Sequence, residues 1–198
     1  FNSALVAVDG PARKAWFDVK GADGAVSRVE KSFDMLHAVP PQVPHDVVRD
    51  SALAVKWALD NAAQLGADPK QVYVMGHSSG GYNAAMVALD GRWLGELGAS
   101  PRQLAGWIGL AGPYDFLPIG DPQTRVAFDW PRTPADSQPL AHVTSGAPRT
   151  LLMAAAKDNL VYPERNTLPM AAALRAAGVP VDLDIYRGVT HEFIKMGR

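Results

Sequence analysis

The segment running from Val72 to Gly81, Val-Tyr-Val-Met-Gly-His-Ser-Ser-Gly-Gly, constrains this chain more than any other. Val72 to Met75 is a short apolar run of the kind that forms a buried strand, and Tyr82 to Leu89 is an alanine-rich helical stretch. Between them Gly76, Ser78 and Gly80 have the spacing G-x-S-x-G. In that context the pattern predicts a nucleophile elbow, a sharp turn from strand to helix with the serine at its tip. The turn strains the serine backbone, and Gly76 and Gly80 are expected because larger side chains would collide across it. The helix that follows points its first N–H groups and the positive end of its dipole at the site, which favours an oxyanion there. His77 fills the position before the serine, so Ser79 is not itself preceded by the required glycine; its backbone N–H is the expected oxyanion donor. Gly81 completes the glycine-rich turn. No lysine follows these glycines as a phosphate loop requires, and G-x-G-x-x-G is absent.

The rest of the chain alternates strand and helix. Val48, Ala52, Val55, Leu59 and Ala62 form one apolar stripe and predict a helix over Asp46 to Leu65, stopped by Gly66. Further strands are expected at Leu104 to Leu110, Thr150 to Ala155 and, near a sheet edge, Val181 to Tyr186; Pro163 to Ala177 reads as a helix ended by Gly178. Residues 113–148 hold seven prolines and read as a long connection with room for a short helix or two, the length of a lid or binding segment. Such alternation predicts an α/β fold with a largely parallel sheet. Near the N-terminus, Ala4 to Val8 reads as a strand, closed by the turn Asp9-Gly10-Pro11. Trp16 to Val19 reads as a strand, Gly21 to Gly24 as a turn and Pro40 to Pro44 as a proline loop. The 198 residues are expected to form one domain, with 1–43 an atypical N-terminal part.

A serine needs a base, and the base an orienting acid. In elbow folds the chain order is serine, then acid, then histidine. Only His142 and His191 follow Ser78, and His142 lies inside the proline-rich connection. His191, just after the last strand, is the candidate base. Asp158 follows the strand ending at Ala155, at the strand end where ligands gather in open sheets, and is the candidate acid; Asp184, Glu192 and Glu164 are its rivals. Trp107, Tyr114, Phe116, Phe128 and Trp130 are candidates for lining a substrate pocket or for ordinary packing, with Tyr114, Phe116 and Trp130 carried forward as candidate substrate-binding residues.

Composition narrows the classes. A net charge of −1 gives no basic field for nucleic acid or an anionic membrane. No apolar run approaches 18 residues, so no membrane span is expected. With no cysteine there is neither a disulfide nor a thiolate site, and His191-Glu192 lacks the second histidine of H-E-x-x-H, so no metal and no cofactor is expected. The chain opens Phe1-Asn2-Ser3 without a methionine or a secretory leader. A soluble protein, cytoplasmic in preference, is expected.

Gly76 to Gly81, Lys157-Asp158-Asn159 through Pro163, Thr190 to Phe193 and Gly109 to Asp115 together resemble an α/β-hydrolase, in particular the esterases related to hormone-sensitive lipase and kynurenine formamidase. The likeness runs from about Pro44 to the C-terminus. It implies a mostly parallel sheet flanked by helices and serine carboxylesterase chemistry on short esters, with Ser78 as nucleophile, His191 as base and Asp158 as orienting acid. Arylformamide or amide hydrolysis on the same site is the near alternative. The family's His-Gly-Gly loop, which supplies further oxyanion donors, is absent from this sequence. Ala4 to Asp9 resembles the strand that follows that loop, so the fold is expected to be shortened at its N-terminal side. Shortening of that kind would leave a sheet edge that invites a homodimer. A second reading is then a hydrolase-fold protein with little activity that binds or oligomerises.

Overall fold

The computed structural model describes residues 3–9, 11–33 and 44–192. They fall into two compact units, Phe1–Pro41 and Gln42–Arg198, where the sequence reading expects one domain. The proline loop lies outside the described residues except for Pro44, which begins a helix.

The first unit is a three-stranded antiparallel meander of β1 (Ser3–Asp9), β2 (Lys14–Lys20) and β3 (Val26–Ser32). Asp9 shapes the first turn by accepting from the Ala12 N–H at 2.9 Å, and Gly24 takes φ +83° in the expected turn between β2 and β3. Opposite charges face each other across β2 and β3: Arg28 pairs with Asp18 directly, and Lys14 reaches Glu30 on the diagonal, both at 2.8 Å. The strand expected at Ala4 to Asp9 therefore exists, but it pairs antiparallel with β2 and is not a member of the parallel sheet.

The second unit carries a four-stranded parallel sheet in the order β4 (Tyr73–His77), β5 (Gly106–Leu110), β6 (Thr150–Ala155), β7 (Val181–Tyr186). Its helices are α1 (Pro44–Asn61), α2 (Ser79–Leu89), α3 (Gly91–Gly95), α4 (Pro122–Ala127) and α5 (Thr167–Ala176). α1 buries Val48 and Ala52 of the expected stripe but ends four residues earlier than the stripe suggests. The chain breaks at Gly66, φ +77°, where the Ala67 N–H turns back to the Ala62 carbonyl at 2.9 Å. α5 starts four residues late: the N–H groups of Arg165 and Asn166 both bond to the Tyr162 carbonyl, so this stretch turns before the helix begins. α2 is the central helix. Its alanines allow close packing, and nearly every residue from Gly81 to Leu89 is buried. Met86, Leu94, Trp107, Leu152, Met170 and Leu174 complete the core, each fully buried and each contributing about 2–3 kcal/mol of apolar transfer.

One expectation for the sheet changes. Val72 to Met75 reads as a buried strand, yet Tyr73 and Met75 are 53% and 64% exposed. Successive residues of β4 point to opposite faces: Val74 and Gly76 face α2 and the core, while Tyr73 and Met75 lie on the other face. β7 lies at an end of the sheet, as its alternation of apolar residues with Asp182 and Asp184 predicts. Among the described residues no helix is long and apolar enough to cross a membrane.

Candidate active site

Parallel strands put all their C-terminal ends on one side, and every candidate residue leaves the sheet there. The register aligns His77 with Leu110, Leu110 with Met153, and Met153 with Asp184. Ser78 follows the first of these, Asp158 comes three residues after β6, and His191 comes five residues after β7.

The elbow is strained as expected: Ser78 has φ +55° and ψ −120°. Its N–H is tied to the Leu110 carbonyl at 2.9 Å, which anchors the tip to β5. Its side chain caps no helical N–H. The glycines divide differently from the expectation. A Cβ at Gly76 would stand 1.9 Å from the Gly80 carbonyl oxygen and 2.2 Å from its carbon. A Cβ at Gly81 would lie 2.9 Å from the Gly112 Cα. A Cβ at Gly80 meets nothing within 4 Å. Gly76 and Gly81 are the sterically required pair, and Gly80 is not. Gly76→Ala should lower stability by about 3 kcal/mol or more or abolish folding, since only backbone atoms stand in the way. Gly80→Ala, in the first turn of α2, should raise it by about 0.5–1 kcal/mol. Thermal unfolding of the two variants checks both signs.

Ser78, His191 and Asp158 form one hydrogen-bonded chain. His191 Nε2 lies 2.8 Å from Ser78 Oγ, and His191 Nδ1 lies 2.6 Å from Asp158 Oδ2. His191 is 4% exposed and Asp158 3%. The other carboxylate oxygen, Oδ1, accepts from the N–H groups of Leu160 and Val161, both at 2.9 Å. Those two bonds fix the carboxylate plane and satisfy a buried charge. Since the carboxylate only accepts, His191 Nδ1 carries its proton and Nε2 presents a lone pair to the serine hydroxyl. This arrangement can take a proton from Ser78 and hold the resulting imidazolium against Asp158. The rivals lie elsewhere: Asp184 is an exposed residue of β7, Glu164 and Glu192 are exposed, and His142 bonds to the Asp136 carbonyl at 2.6 Å. His77 is not a spacer. Its Nε2 lies 2.9 Å from the His191 carbonyl oxygen, and the two rings stand 4.8 Å apart.

A cavity of about 600 Å³ opens beside the elbow at Ser79. Phe116 and Phe128 line it with Tyr82, and the three rings pack edge to face with centroids 4.9–5.9 Å apart. Leu160, Val161 and Tyr162 close it from the loop after β6. Two candidates do not belong to it. Tyr114 is fully buried against Trp107, in the space that Gly109 and Gly112 leave vacant, and that burial pushes its phenol pKa up. Trp130 stands outside the lining, past α4, with its backbone N–H on the Arg125 carbonyl. The residues 113–148 do supply half the cavity wall, from Pro113 to Phe128.

Asn166 is the residue that sequence reasoning missed. Its side-chain oxygen accepts from the N–H groups of Tyr114 (2.7 Å) and Asp115 (3.1 Å), and its amide donates to the Tyr162 carbonyl. It thereby staples the two loops that face each other across the cavity. In the sequence it falls inside the stretch expected as the helix Pro163 to Ala177, where nothing sets it apart from its neighbours. At the C-terminal end of α2, the buried Asp90 pairs with the exposed Arg92 at 2.8 Å. Burial opposes its charge, but the Arg92 hydrogen bonds outweigh that and hold its pKa below the ordinary carboxylate value. Among the described residues no group of three histidine or carboxylate side chains could hold a metal ion.

The family model described as "Prolyl oligopeptidase family" matches residues 30–198. The chain belongs to the prolyl oligopeptidase family. Its relatives in sequence include Esterase LipU of Mycobacterium tuberculosis, 27% identical over 65% of this chain and 49% of that protein. A probable isoprenylcysteine alpha-carbonyl methylesterase of Arabidopsis thaliana is 23% identical over 74% of this chain and 35% of that one. The chain thus spans about a third to a half of the length of these relatives. Among solved structures, the apo form of Thermogutta terrifontis esterase 2 superposes with a TM-score of 0.66 at 24% identity, covering 89% of this chain and 66% of that one. The fold of this prolyl oligopeptidase family member is that of the α/β-hydrolases, as the sequence resemblance implies.

Proposed function

We propose that this chain hydrolyses carboxylic esters through an acyl-enzyme formed on Ser78. The observation that carries this reading is the unbroken path Ser78 Oγ, His191 Nε2, His191 Nδ1, Asp158 Oδ2, at 2.8 and 2.6 Å. Ser78 Oγ attacks the ester carbonyl as His191 takes its proton. The oxyanion forms at the N-terminus of α2, where the first N–H groups, that of Ser79 foremost, have no partner within the helix. His191 returns the proton to the leaving alcohol, then activates a water that releases the acid. Asp158 keeps the imidazole in the required tautomer throughout.

Relatives named esterase and methylesterase support ester over amide bonds as the substrate. The aromatic cavity supports a substrate with an apolar group on one side of the carbonyl. A short-chain ester such as p-nitrophenyl butyrate is the substrate to try first. Incubation with a fluorophosphonate, followed by peptide mass spectrometry, should find one adduct, on Ser78, and should abolish hydrolysis in proportion. Hydrolysis that survives full labelling, or an adduct on another residue, would overturn the assignment.

A further inference from the structure

The histidine of the hydrogen-bonded chain sits on the segment that follows β7. His191 lies five residues beyond the last strand, past Gly188 with φ +79°. Its ring is held at Nδ1 by Asp158. A single hydrogen bond still allows an imidazole to swing about it, carrying Nε2 away from the serine. A second fixed point is needed, and His77 supplies one on the backbone. Its Nε2 meets the His191 carbonyl oxygen at 2.9 Å. A carbonyl oxygen only accepts, so His77 Nε2 must carry a hydrogen, and it does so whether the ring is neutral or charged. His77 is the last residue of β4, in register with Leu110, and adjoins Ser78. The elbow therefore holds its own base from two sides: Ser78 Oγ touches the ring, and the neighbouring side chain clamps the main chain that carries it.

We propose that His77 is a positioning residue, fixing the distance between His191 and Ser78 by clamping the His191 carbonyl. The proposal rests on the assignment of Ser78, His191 and Asp158 made above. The test compares His77→Phe, which keeps a ring and loses the donor, with His77→Gln, which keeps a side-chain N–H. Both are assayed for kcat and KM on p-nitrophenyl butyrate beside wild type and Ser78→Ala, with thermal unfolding measured on each. In His77→Phe, kcat should fall by about 10-fold or more while KM stays within about twofold, since a misplaced base costs rate and not ground-state binding. His77→Gln should recover most of the loss. If His77→Phe does not fold, His77→Leu takes its place in the same comparison. A donor-less variant with wild-type kcat, or equal losses in the donor-less and Gln variants, overturns the proposal. An active Ser78→Ala overturns the underlying assignment instead, so the two failures are separable.

Discussion

In Ser78→Ala, kcat for p-nitrophenyl butyrate falls by about 10⁶-fold, to a residue of activity set by whatever the oxyanion site and substrate binding supply alone. Removing the nucleophile and removing the base should cost nearly the same, because neither acts without the other. His191→Ala should therefore match Ser78→Ala, and the double variant should be hardly worse than either. Folding should be little affected. Ser78 holds φ +55° as an L-residue already, and alanine inherits that strain while losing only a hydroxyl whose bond is to His191. Equal thermal midpoints with a collapse in rate would separate chemistry from stability. Hydrolysis by Ser78→Ala within about 100-fold of wild type, in protein free of contaminating esterase, would sink the acyl-enzyme reading.

How much of this was legible in the chain depends on how local each signal is. The elbow and its flanking strand and helix are written in ten consecutive residues, and the spacing rule for serine, acid and histidine left only two histidines to choose between. What escaped was set by partners distant in sequence. β2 shows in the sequence at Trp16 to Val19, but β3 reads Val-Ser-Arg-Val-Glu-Lys-Ser, nearly all exposed, and carries no period-two apolar pattern of its own. Met75 and Tyr73 look like core residues because apolar side chains on an end strand are spelled the same way as buried ones. Tyr114 could be read as pocket or core with equal ease; the decision lies with Gly109, where a Cβ would come within 2.0 Å of the Tyr114 hydroxyl. His77 carries no signal of its own, since its partner lies 114 residues away.

The elbow also separates two meanings of glycine that one motif conflates. Gly76 and Gly81 are glycine because backbone passes where a Cβ would be, whereas Gly80 faces open space. A pattern such as G-x-S-x-G thus mixes a packing requirement with a position that tolerates a side chain. Only the packing requirement follows from the turn itself.

Asp158→Asn is the sharper test of how the site works, since it changes a proton and almost nothing else. Asparagine has the same shape, but its two ends differ: one oxygen that accepts and one NH₂ that donates. In the native protein Oδ1 accepts from the Leu160 and Val161 N–H groups, and Oδ2 faces His191 Nδ1. Those two backbone donors choose the orientation of the amide. With its oxygen toward them, both bonds survive and the NH₂ faces His191. Flipped, the NH₂ would confront two N–H groups, leaving buried donors unpaired at about 1–3 kcal/mol each. The amide therefore donates to Nδ1, which must give up its proton, and the hydrogen moves to Nε2. That nitrogen then points a donor at Ser78 Oγ and cannot take its proton. The expected outcome is a loss in kcat of about 10⁴-fold, with the fold and the fluorophosphonate-accessible serine intact but labelled far more slowly. Asp158→Ala removes the acceptor for both backbone N–H groups as well, and should lose stability where Asp158→Asn does not. Asp158→Asn within about 10-fold of wild type would mean that another carboxylate orients His191, and the path through Asp158 would have to be given up.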